Sequence, residues 1–290
     1  MSAPHRARRP DAFSPIGLFD SGLGGLSVLR EIQHCLPQED VICVADTARQ
    51  PYGPRSQEQV RAFAVEISDF LCRQGAKTIV IACNTASIAG EAQIRERFPG
   101  LAVVGMIAPS VRLALRDRTT KRIGVFGTTL TVASGAHRDL IRRDRPEAEV
   151  MAVACPELIR IAQRGLPGRE EDHVPRLIRA CFQPLFEFGA EVLLLGCTDL
   201  GNIRQEIEQA IGGKVRVVDP AEEVANEVRQ QLQARSMLRN PEAGSGQYRL
   251  LATGSHHRLT ATTAHRILDD PGLRVEHLDL QAVLGGRPSP

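Results

Sequence analysis

Two of the seven cysteines in this 290-residue chain follow apolar runs of the same kind. Residues 78–82 precede Cys83, and residues 191–196 precede Cys197. A thiol has an ordinary pKa of about 8.5, so it can donate a proton as a thiol and accept one as a thiolate. Two thiols on opposite sides of a substrate can therefore remove a proton from one face of a carbon atom and return one to the other. We predict that Cys83 and Cys197 face each other across one site.

Each of the two thiols has an acidic residue that can exchange a proton with it. Asp20 ends the first predicted strand, where it can serve Cys83, and Asp199 follows Cys197 by two residues. A carboxylate beside a thiol raises the pKa of the thiol, so backbone N–H groups and helix N-termini must stabilise the thiolate. Alternatively, Asp20 only caps the turn that follows it. A disulfide, or two unrelated buried thiols, would also explain the paired cysteines.

A repeated order of strands and turns positions the two cysteines. Residues 16–22 (IGLFDSG) are echoed by residues 123–129 (IGVFGTT). Cys83 lies 67 residues after the start of the first segment, and Cys197 lies 74 residues after the start of the second. Strands that alternate with helices indicate parallel sheets. The sequence thus predicts an α/β fold of two similar lobes, each a mostly parallel sheet flanked by helices.

The chain is predicted to leave the first lobe once and to return to it. Residues 15–108 and 218–283 are assigned to the first lobe, and residues 109–217 to the second. Residues 1–14 are basic at their start and lack an apolar core segment, so we expect a disordered tail. Residues 284–290 are expected to form a loose tail.

Four local predictions concern the elements around the site. Ser56 and Gln59 have the spacing of a capping box at the start of a helix. After the first cysteine, residues 88–98 are predicted to be helical, and after the second, residues 202–211. Residues 248–253 are predicted to form the last strand of the chain.

Polar segments after the predicted strands offer contacts for a ligand. The turn at residues 20–25 (DSGLGG) can bind a small anion, such as a carboxylate, through its backbone N–H groups. It lacks the third glycine of the dinucleotide fingerprint, so a nucleotide-binding oxidoreductase is only an alternative. Tyr52 and Gly53 lie in the loop after the second strand, and Asn84 and Thr85 follow the first cysteine. Loops at this end of a parallel sheet are where α/β proteins bind ligands.

Composition argues against several other classes of function. The net charge is +2 with acids and bases interspersed, which gives no reason to expect nucleic acid or an anionic membrane as partner. No apolar run approaches the ~20 residues that span a bilayer, so we expect a cytoplasmic protein. No Cys/His spacing is typical of a metal site. The expected partner is a small-molecule substrate.

Five motifs along almost the whole chain resemble those of the glutamate racemases, in the aspartate/glutamate racemase family. In chain order they are IGLFDSGLGGLSVL from Ile16, ADTARQPYG from Ala45, ACNTAS from Ala82, GTTLT from Gly127 and LLGCT from Leu194. The resemblance implies an active site between the two lobes and a cofactor-independent enzyme that needs no pyridoxal phosphate. It further implies a cytoplasmic protein that makes D-glutamate for peptidoglycan, of a kind that commonly forms a homodimer.

The resemblance also implies a role for each candidate residue. It makes Cys83 and Cys197 the two acid/base thiols, with Asp20 assisting the first. The implied substrate contacts are Asp20, Ser21, Tyr52, Gly53, Asn84, Thr85 and Thr198, and we add Asp199 to this set.

Two residues near the second thiol depart from the family pattern. The family usually has a histidine where this chain has Asp199, and a glutamate where it has Gln163. Asp199 can keep the proton-shuttling role, whereas Gln163 can act only through hydrogen bonds. An acidic residue after GCT is typical of aspartate racemases, so aspartate or another acidic amino acid is a second candidate substrate. A racemase-like binding or regulatory protein with an impaired second base is a third hypothesis.

Overall fold

The computed structural model describes residues 10–164, 173–213, 215–255 and 257–285. The strands of this part of the chain are β1 (Ile16–Asp20), β2 (Val41–Ala45), β3 (Thr78–Ile81), β4 (Ala102–Val104), β5 (Arg122–Gly127), β6 (Glu149–Ala154), β7 (Val192–Gly196), β8 (Arg216–Val218), β9 (Tyr248–Ala252) and β10 (Val275–His277). The α-helices are α1 (Leu26–Cys35), α2 (Gln57–Arg73), α3 (Asn84–Arg97), α4 (Ile107–Ala114), α5 (Thr129–Ser134), α6 (Ala136–Asp144), α7 (Pro156–Arg164), α8 (His173–Phe188), α9 (Arg204–Ile211), α10 (Ala221–Ala234), α11 (His257–Leu268) and α12 (Leu280–Leu284). Two 3₁₀ turns, Thr198–Ile203 and Pro241–Ala243, complete the set.

Two parallel sheets share one strand order. The first sheet runs β10-β9-β2-β1-β3-β4, and the second runs β6-β5-β7-β8. The pairing of Ile16 with Thr78 between β1 and β3 is matched by that of Ile123 with Val192 between β5 and β7. The predicted α/β fold of two similar lobes is therefore confirmed.

The first sheet is longer than the second because β9 and β10 extend it beyond β2. The prediction that residues 248–253 form the last strand is wrong, since Val275–His277 pairs in parallel with β9. This strand has three residues, of which two are polar. It therefore lacks the apolar run by which a strand is recognised in a sequence.

The chain crosses between the sheets twice. Val111 and Ala114 of α4 join an apolar cluster of the second sheet, and α10 packs with α1 on the first sheet. Val218, which we placed at the return to the first lobe, still pairs with Leu194 of the second sheet. The lobe boundaries of 15–108, 109–217 and 218–283 otherwise stay a prediction.

Helices cover both faces of each sheet, which is why the central strands consist mainly of buried apolar residues. Every residue of β1 and of β7 is buried. Neighbouring residues of a strand point to opposite faces, so Leu18 and Phe19 belong to different apolar clusters, as do Val125 and Phe126. Among the described helices, none is both long and apolar enough to cross a bilayer. Well-packed central strands hold their carboxyl ends at fixed positions.

The two predicted helices that follow the cysteines begin at other positions. The structure starts α3 at Asn84, with Cys83 as an extended N-cap, whereas we predicted residues 88–98. After Cys197 the 3₁₀ turn Thr198–Ile203 precedes α9, whereas one helix was predicted. Small polar residues such as Asn, Thr and Ser have low helix propensity, so the sequence does not mark these first turns. The two thiols consequently begin different kinds of helix.

The capping box of α2 is confirmed. The Oγ of Ser56 accepts a hydrogen bond from the backbone N–H of Gln59 at 3.2 Å. The Oε1 of Gln59 accepts one from the backbone N–H of Ser56 at 3.2 Å. This reciprocal pair fixes the end of the loop that carries Tyr52 and Gly53.

The chain ends were predicted to be tails. Residues 1–9 and 286–290 of those tails lie outside the described residues. Within the first tail, the N–H of Ser14 donates to the carbonyl of Asp11 at 3.1 Å and closes a turn. The backbone carbonyl of Ala12 accepts a hydrogen bond from Lys77 at 2.6 Å, which attaches this turn to the first lobe.

Candidate active site

A cavity of about 190 Å³ lies between the two lobes. Its lining includes the residues that follow β1, β3, β5 and β7, which are Ser21, Cys83, Thr128 and Cys197. Both cysteines are free thiols and are buried, at 5% and 7% exposure. Pockets for drug-sized ligands measure about 300–1,000 Å³, so this smaller volume favours a substrate the size of an amino acid.

Most of the predicted site residues line this cavity. They are Ser21, Tyr52, Gly53, Cys83, Asn84, Thr85, Cys197, Thr198 and Asp199. Asp20 is not in the lining and is buried next to Cys83. The hydroxyl of Tyr52 donates to the carboxylate of Asp46, so this hydroxyl is already paired. Whether these residues touch substrate stays a prediction.

Cys83 belongs to a first half-site, which we define as Cys83, Asp20 and Ser21. The Sγ of Cys83 lies 3.6 Å from the Oγ of Ser21. Burial raises the pKa of Cys83 far above its ordinary value, and the charge of Asp20 adds to this. Hydrogen bonds from the backbone N–H of Ala86 and from Ser21 act in the opposite direction. These effects together favour the thiol form of Cys83 over the thiolate.

The carboxylate of Asp20 is held by the glycine-rich turn. Its Oδ2 accepts hydrogen bonds from the backbone N–H of Gly25 at 2.9 Å and of Gly22 at 3.3 Å. Burial raises the pKa of Asp20, and these backbone donors together with Cys83 oppose that rise. Two N–H groups that we expected to bind an external anion thus bind Asp20. Asp20 therefore does cap the turn that follows it, as the alternative prediction stated. It also remains in contact with Cys83.

Cys197 belongs to a second half-site, which we define as Cys197, Asp199 and Gln163. The Sγ of Cys197 lies 3.7 Å from the Oδ2 of Asp199. Burial raises the pKa of Cys197 well above its ordinary value, followed by the charges of Asp199 and Cys83. The backbone N–H of Asp199 is the donor that opposes this rise. The thiol form of Cys197 is thus also favoured over the thiolate.

Asp199 titrates near neutral pH. Burial, and next the charge of Asp20, raise its pKa from 3.8 to about 7. The Nε2 of Gln163 donates to its Oδ2 at 2.9 Å, and this hydrogen bond favours the ionised form. Each half-site therefore combines a thiol with a carboxyl group, and the two carboxyl groups influence each other.

Close approach at Gly24 joins the two half-sites. A Cβ at this position would lie 2.7 Å from the backbone nitrogen of Asp199 and 2.8 Å from the Oγ1 of Thr198. A side chain would therefore separate the turn after β1 from the turn after β7. Sequence reasoning missed this role, although the surplus of glycines in the turn (GLGG) is the signal that could have revealed it.

Thr128 is a second residue that sequence reasoning missed. It lines the cavity, and its Oγ1 lies 3.0 Å from the Oγ1 of Thr85, which joins the two lobes. The echo of IGLFDSG by IGVFGTT aligns Thr128 with Ser21, and this alignment could have revealed it. The two positions occupy corresponding strand ends.

Asn84 has polar atoms available for a ligand. Its Oδ1 and Nδ2 are buried and have no hydrogen-bond partner within the described part of the chain. An unpaired buried amide is costly, so a ligand that pairs with it gains affinity. For metals, the described residues contain no group of three or more His, Cys, Asp or Glu that could hold an ion.

A larger cavity of about 570 Å³ contains neither thiol. Charged residues of both signs line it, among them Arg30, Glu31, Arg204 and Asp219. The candidate catalytic groups converge on the smaller cavity instead. Volume alone therefore does not identify the active site of this fold.

Comparison with known proteins identifies the fold as that of an isomerase of the amino-acid racemase class. Residues 16–228 match the family model described as Asp/Glu/Hydantoin racemase. The chain belongs to this Asp/Glu/hydantoin racemase family.

Curated relatives and solved structures agree with the family. A protein named glutamate racemase from a Roseiflexus species is 39% identical over 262 residues, which are 90% of this chain and 94% of that protein. The crystal structure of a glutamate racemase isoform from Bacillus anthracis has a TM-score of 0.84 and 34% identity over 92% of this chain and 98% of that one. A glutamate racemase from Francisella tularensis, solved in complex with D-glutamate, has a TM-score of 0.85 and 26% identity over 93% and 99% of the two chains.

Proposed function

We propose that this racemase interconverts L- and D-glutamate by proton transfer between Cys83 and Cys197. The observation that carries the proposal is a single small cavity in which each of two buried thiols lies beside its own carboxyl group. Glutamate as substrate is supported by relatives about 40% identical that are named glutamate racemases. The Francisella tularensis structure, with D-glutamate bound, supports it further.

The reaction needs one thiolate and one thiol at a time. The thiolate takes the α-proton, so a C–H bond breaks, an S–H bond forms, and the electron pair stays on the α-carbon next to the carboxylate. The opposite thiol then gives its proton to the other face of that carbon, and a new C–H bond forms. One sulfur has gained a proton and the other has lost one, and the product is the opposite enantiomer.

The carboxyl groups reset the two sulfurs between turnovers. Asp20 exchanges a proton with Cys83, and Asp199 exchanges one with Cys197. Burial raises the pKa of both thiols and so disfavours the thiolate that the reaction needs. The α-ammonium group of an amino acid brings a positive charge that lowers the pKa of a nearby thiol.

The polar lining of the cavity binds the substrate in this proposal. The contacts are Ser21, Tyr52, Gly53, Asn84, Thr85, Thr198 and Asp199, with Asp20 acting from behind Cys83. Asn84 has the strongest support because neither of its side-chain polar atoms has a partner in the described structure. Each proton transfer in this proposal involves a side chain of the chain itself.

Deuterium exchange tests the reaction and the substrate together. The protein is incubated in D₂O with L-glutamate, D-glutamate, L-aspartate and D-aspartate, and deuterium at the α-carbon is followed by NMR. We expect incorporation from both glutamate enantiomers and much slower incorporation from aspartate. Faster exchange with aspartate than with glutamate would favour aspartate as the substrate, which is the alternative that the acidic residue after GCT suggests. No exchange with any of the four would indicate a binding or regulatory protein.

We further propose a cytoplasmic homodimer that supplies D-glutamate for peptidoglycan. Expression of the protein should restore growth of a bacterial strain that requires external D-glutamate, and the C83S variant should not. Light scattering should give twice the mass of the 31.6 kDa chain. A monomer that is fully active would contradict the dimer without affecting the proposed reaction.

A further inference from the structure

We propose that Gln163 is a positioning residue for Asp199, and that an uncharged hydrogen-bond donor is required at this position. Gln163 holds the carboxylate oxygen that faces Cys197. The inference rests on the proposed function, in which Asp199 exchanges a proton with that thiol.

The same oxygen of Asp199 contacts both Gln163 and Cys197. Its Oδ2 accepts the hydrogen bond from the Nε2 of Gln163 at 2.9 Å and lies 3.7 Å from the Sγ of Cys197. The other oxygen, Oδ1, would lie 2.8 Å from a Cβ at Gly24. The carboxylate is therefore confined between α7 and the turn after β1. The amide of Gln163 decides which oxygen is presented to the thiol.

The position of Gln163 is fixed by the helix that carries it. Leu158, Ile159 and Ala162 bury the inner face of α7 in the apolar cluster of the second lobe that also contains Cys197. Gln163 follows this face, lines the cavity and is itself half-buried. The packed helix fixes the backbone and Cβ of Gln163, so only its side-chain torsions have to be ordered when the hydrogen bond forms.

The charges around Asp199 explain why the donor must be neutral. The charge of Asp20 raises its pKa, and Cys197 forms a hydrogen bond with it. Cys83 acts in turn on Cys197, and all three groups carry or acquire negative charge. Arg160 on α7 lines the same cavity, but its side chain is 61% exposed and lies 3.9 Å from Glu157. A carboxylate at position 163 would add another negative charge within hydrogen-bond distance. An amide stabilises the ionised form of Asp199 without that repulsion.

Two substitutions separate the charge of residue 163 from its hydrogen bond. Q163E introduces a carboxylate, and we expect kcat for glutamate to fall about 100-fold at pH 8, with KM changed by less than about threefold. Activity of Q163E should recover as the pH falls, because a protonated carboxyl group can donate the lost hydrogen bond. Q163M removes the donor without adding charge. Its activity should rise with pH at a midpoint about one unit higher than in the unmodified protein.

A matched control is available on the surface of the second lobe. The Nε2 of Gln183 donates to the Oε1 of Glu187 at 2.9 Å on the exposed face of α8. Q183E therefore makes the same amide-to-carboxylate change beside a carboxylate, away from the cavity. We expect less than a twofold change in kcat and an unchanged pH profile. Equal effects of Q163E and Q183E would overturn the inference.

A measurement without turnover separates this inference from the proposed reaction. ¹³C NMR of protein labelled at the aspartate carboxyl carbons follows the titration of Asp199, whose signal is assigned with D199N. We expect the midpoint of Asp199 to move upward in Q163M and further upward in Q163E. Unchanged midpoints would refute the role of Gln163 even if glutamate is racemised. If the midpoints shift but the protein racemises no amino acid, the role of Gln163 stands and the proposed function is wrong.

Discussion

The two half-sites hold their carboxyl groups by different means. The backbone holds Asp20, through the N–H groups of Gly22 and Gly25. A side chain holds Asp199, through the amide of Gln163. Backbone donors persist through most substitutions, whereas a side-chain donor is lost with a single one. The carboxylate of the first half-site is therefore held by the backbone of the turn after β1. The carboxylate of the second is held only as long as α7 carries a hydrogen-bond donor at position 163.

The difference arises within a repeated framework. The strand order β2-β1-β3-β4 recurs as β6-β5-β7-β8, and each thiol follows a corresponding strand. The acidic residue does not recur, because β1 ends in Asp20 and β5 ends in Gly127. Asp199, on the turn after the cysteine, lies beside the second thiol instead. The repeated strand order thus determines the positions of the two sulfurs. It does not determine from which position of each lobe the neighbouring carboxyl group comes.

Replacing each thiol should produce the largest effects and should show whether the half-sites serve opposite faces. C83S and C197S should each reduce racemisation of glutamate at least about 1,000-fold, because a hydroxyl is a far weaker acid and base. Each variant should retain slow deuterium exchange with one enantiomer only, and the two variants should prefer opposite enantiomers. NMR in D₂O measures this. If both variants exchange the same enantiomer, the thiols do not flank the substrate.

Removing each carboxylate should show how far the half-sites differ in their dependence on pH. D20N should reduce kcat about 100-fold at every pH from 6 to 8. With a pKa of about 7, Asp199 is ionised in roughly a tenth of molecules at pH 6 and nine tenths at pH 8. The loss in D199N should therefore be small at pH 6 and grow toward pH 8. Parallel pH profiles for the two variants would contradict the asymmetry.

A side chain at Gly24 should disturb the contact between the half-sites. G24A places a Cβ against the backbone of Asp199, so the turns must separate, and we expect kcat to fall about tenfold. G22A is the comparison, because the atoms nearest to a Cβ there belong to the flexible side chain of Gln50. Steady-state rates of both variants test this expectation. A milder effect for G24A than for G22A would mean that the approach at Gly24 is unimportant.

The smallest expected effect is on stability. The pKa of Asp199 is raised from 3.8 to about 7 in the folded protein, so the fold loses stability as the pH rises from about 4 to about 7, and the full penalty is present above about pH 7. Below about pH 4 the group is protonated in both states and this penalty is absent. D199N should therefore raise the free energy of unfolding at pH 8.5 by on the order of 2–4 kcal/mol, and not at pH 4.

Urea unfolding at the two pH values tests the stability prediction. The exposed Asp139 offers a control, since its side chain is 66% exposed and D139N should change little at either pH. Equal gains for D199N at both pH values would show that the pKa of Asp199 is not raised by the fold.

Apolar periodicity made most of the fold predictable. The runs that became β1, β2, β3 and β7 are buried at every position, and such runs are recognisable in a sequence. The capping box at Ser56 was predictable because it depends on residues three apart. The first turn of α3 was not, because it begins with residues of low helix propensity and is stabilised by the rest of the fold. Short β10 was missed because two of its three residues are polar, so it has no apolar run.

The sequence by itself determined which chemical groups are available. It placed a thiol after each of two matching strands, and it provided Asp20, Asp199 and Gln163. Only the tertiary structure decided how these groups influence one another, because Gln163 and Asp199 are 36 residues apart and meet across two elements. The pKa of a group depends on burial and on charges a few ångströms away. Those distances exist only in the folded chain, where α7 packs beside the turn after β7 and both lobes enclose the cavity.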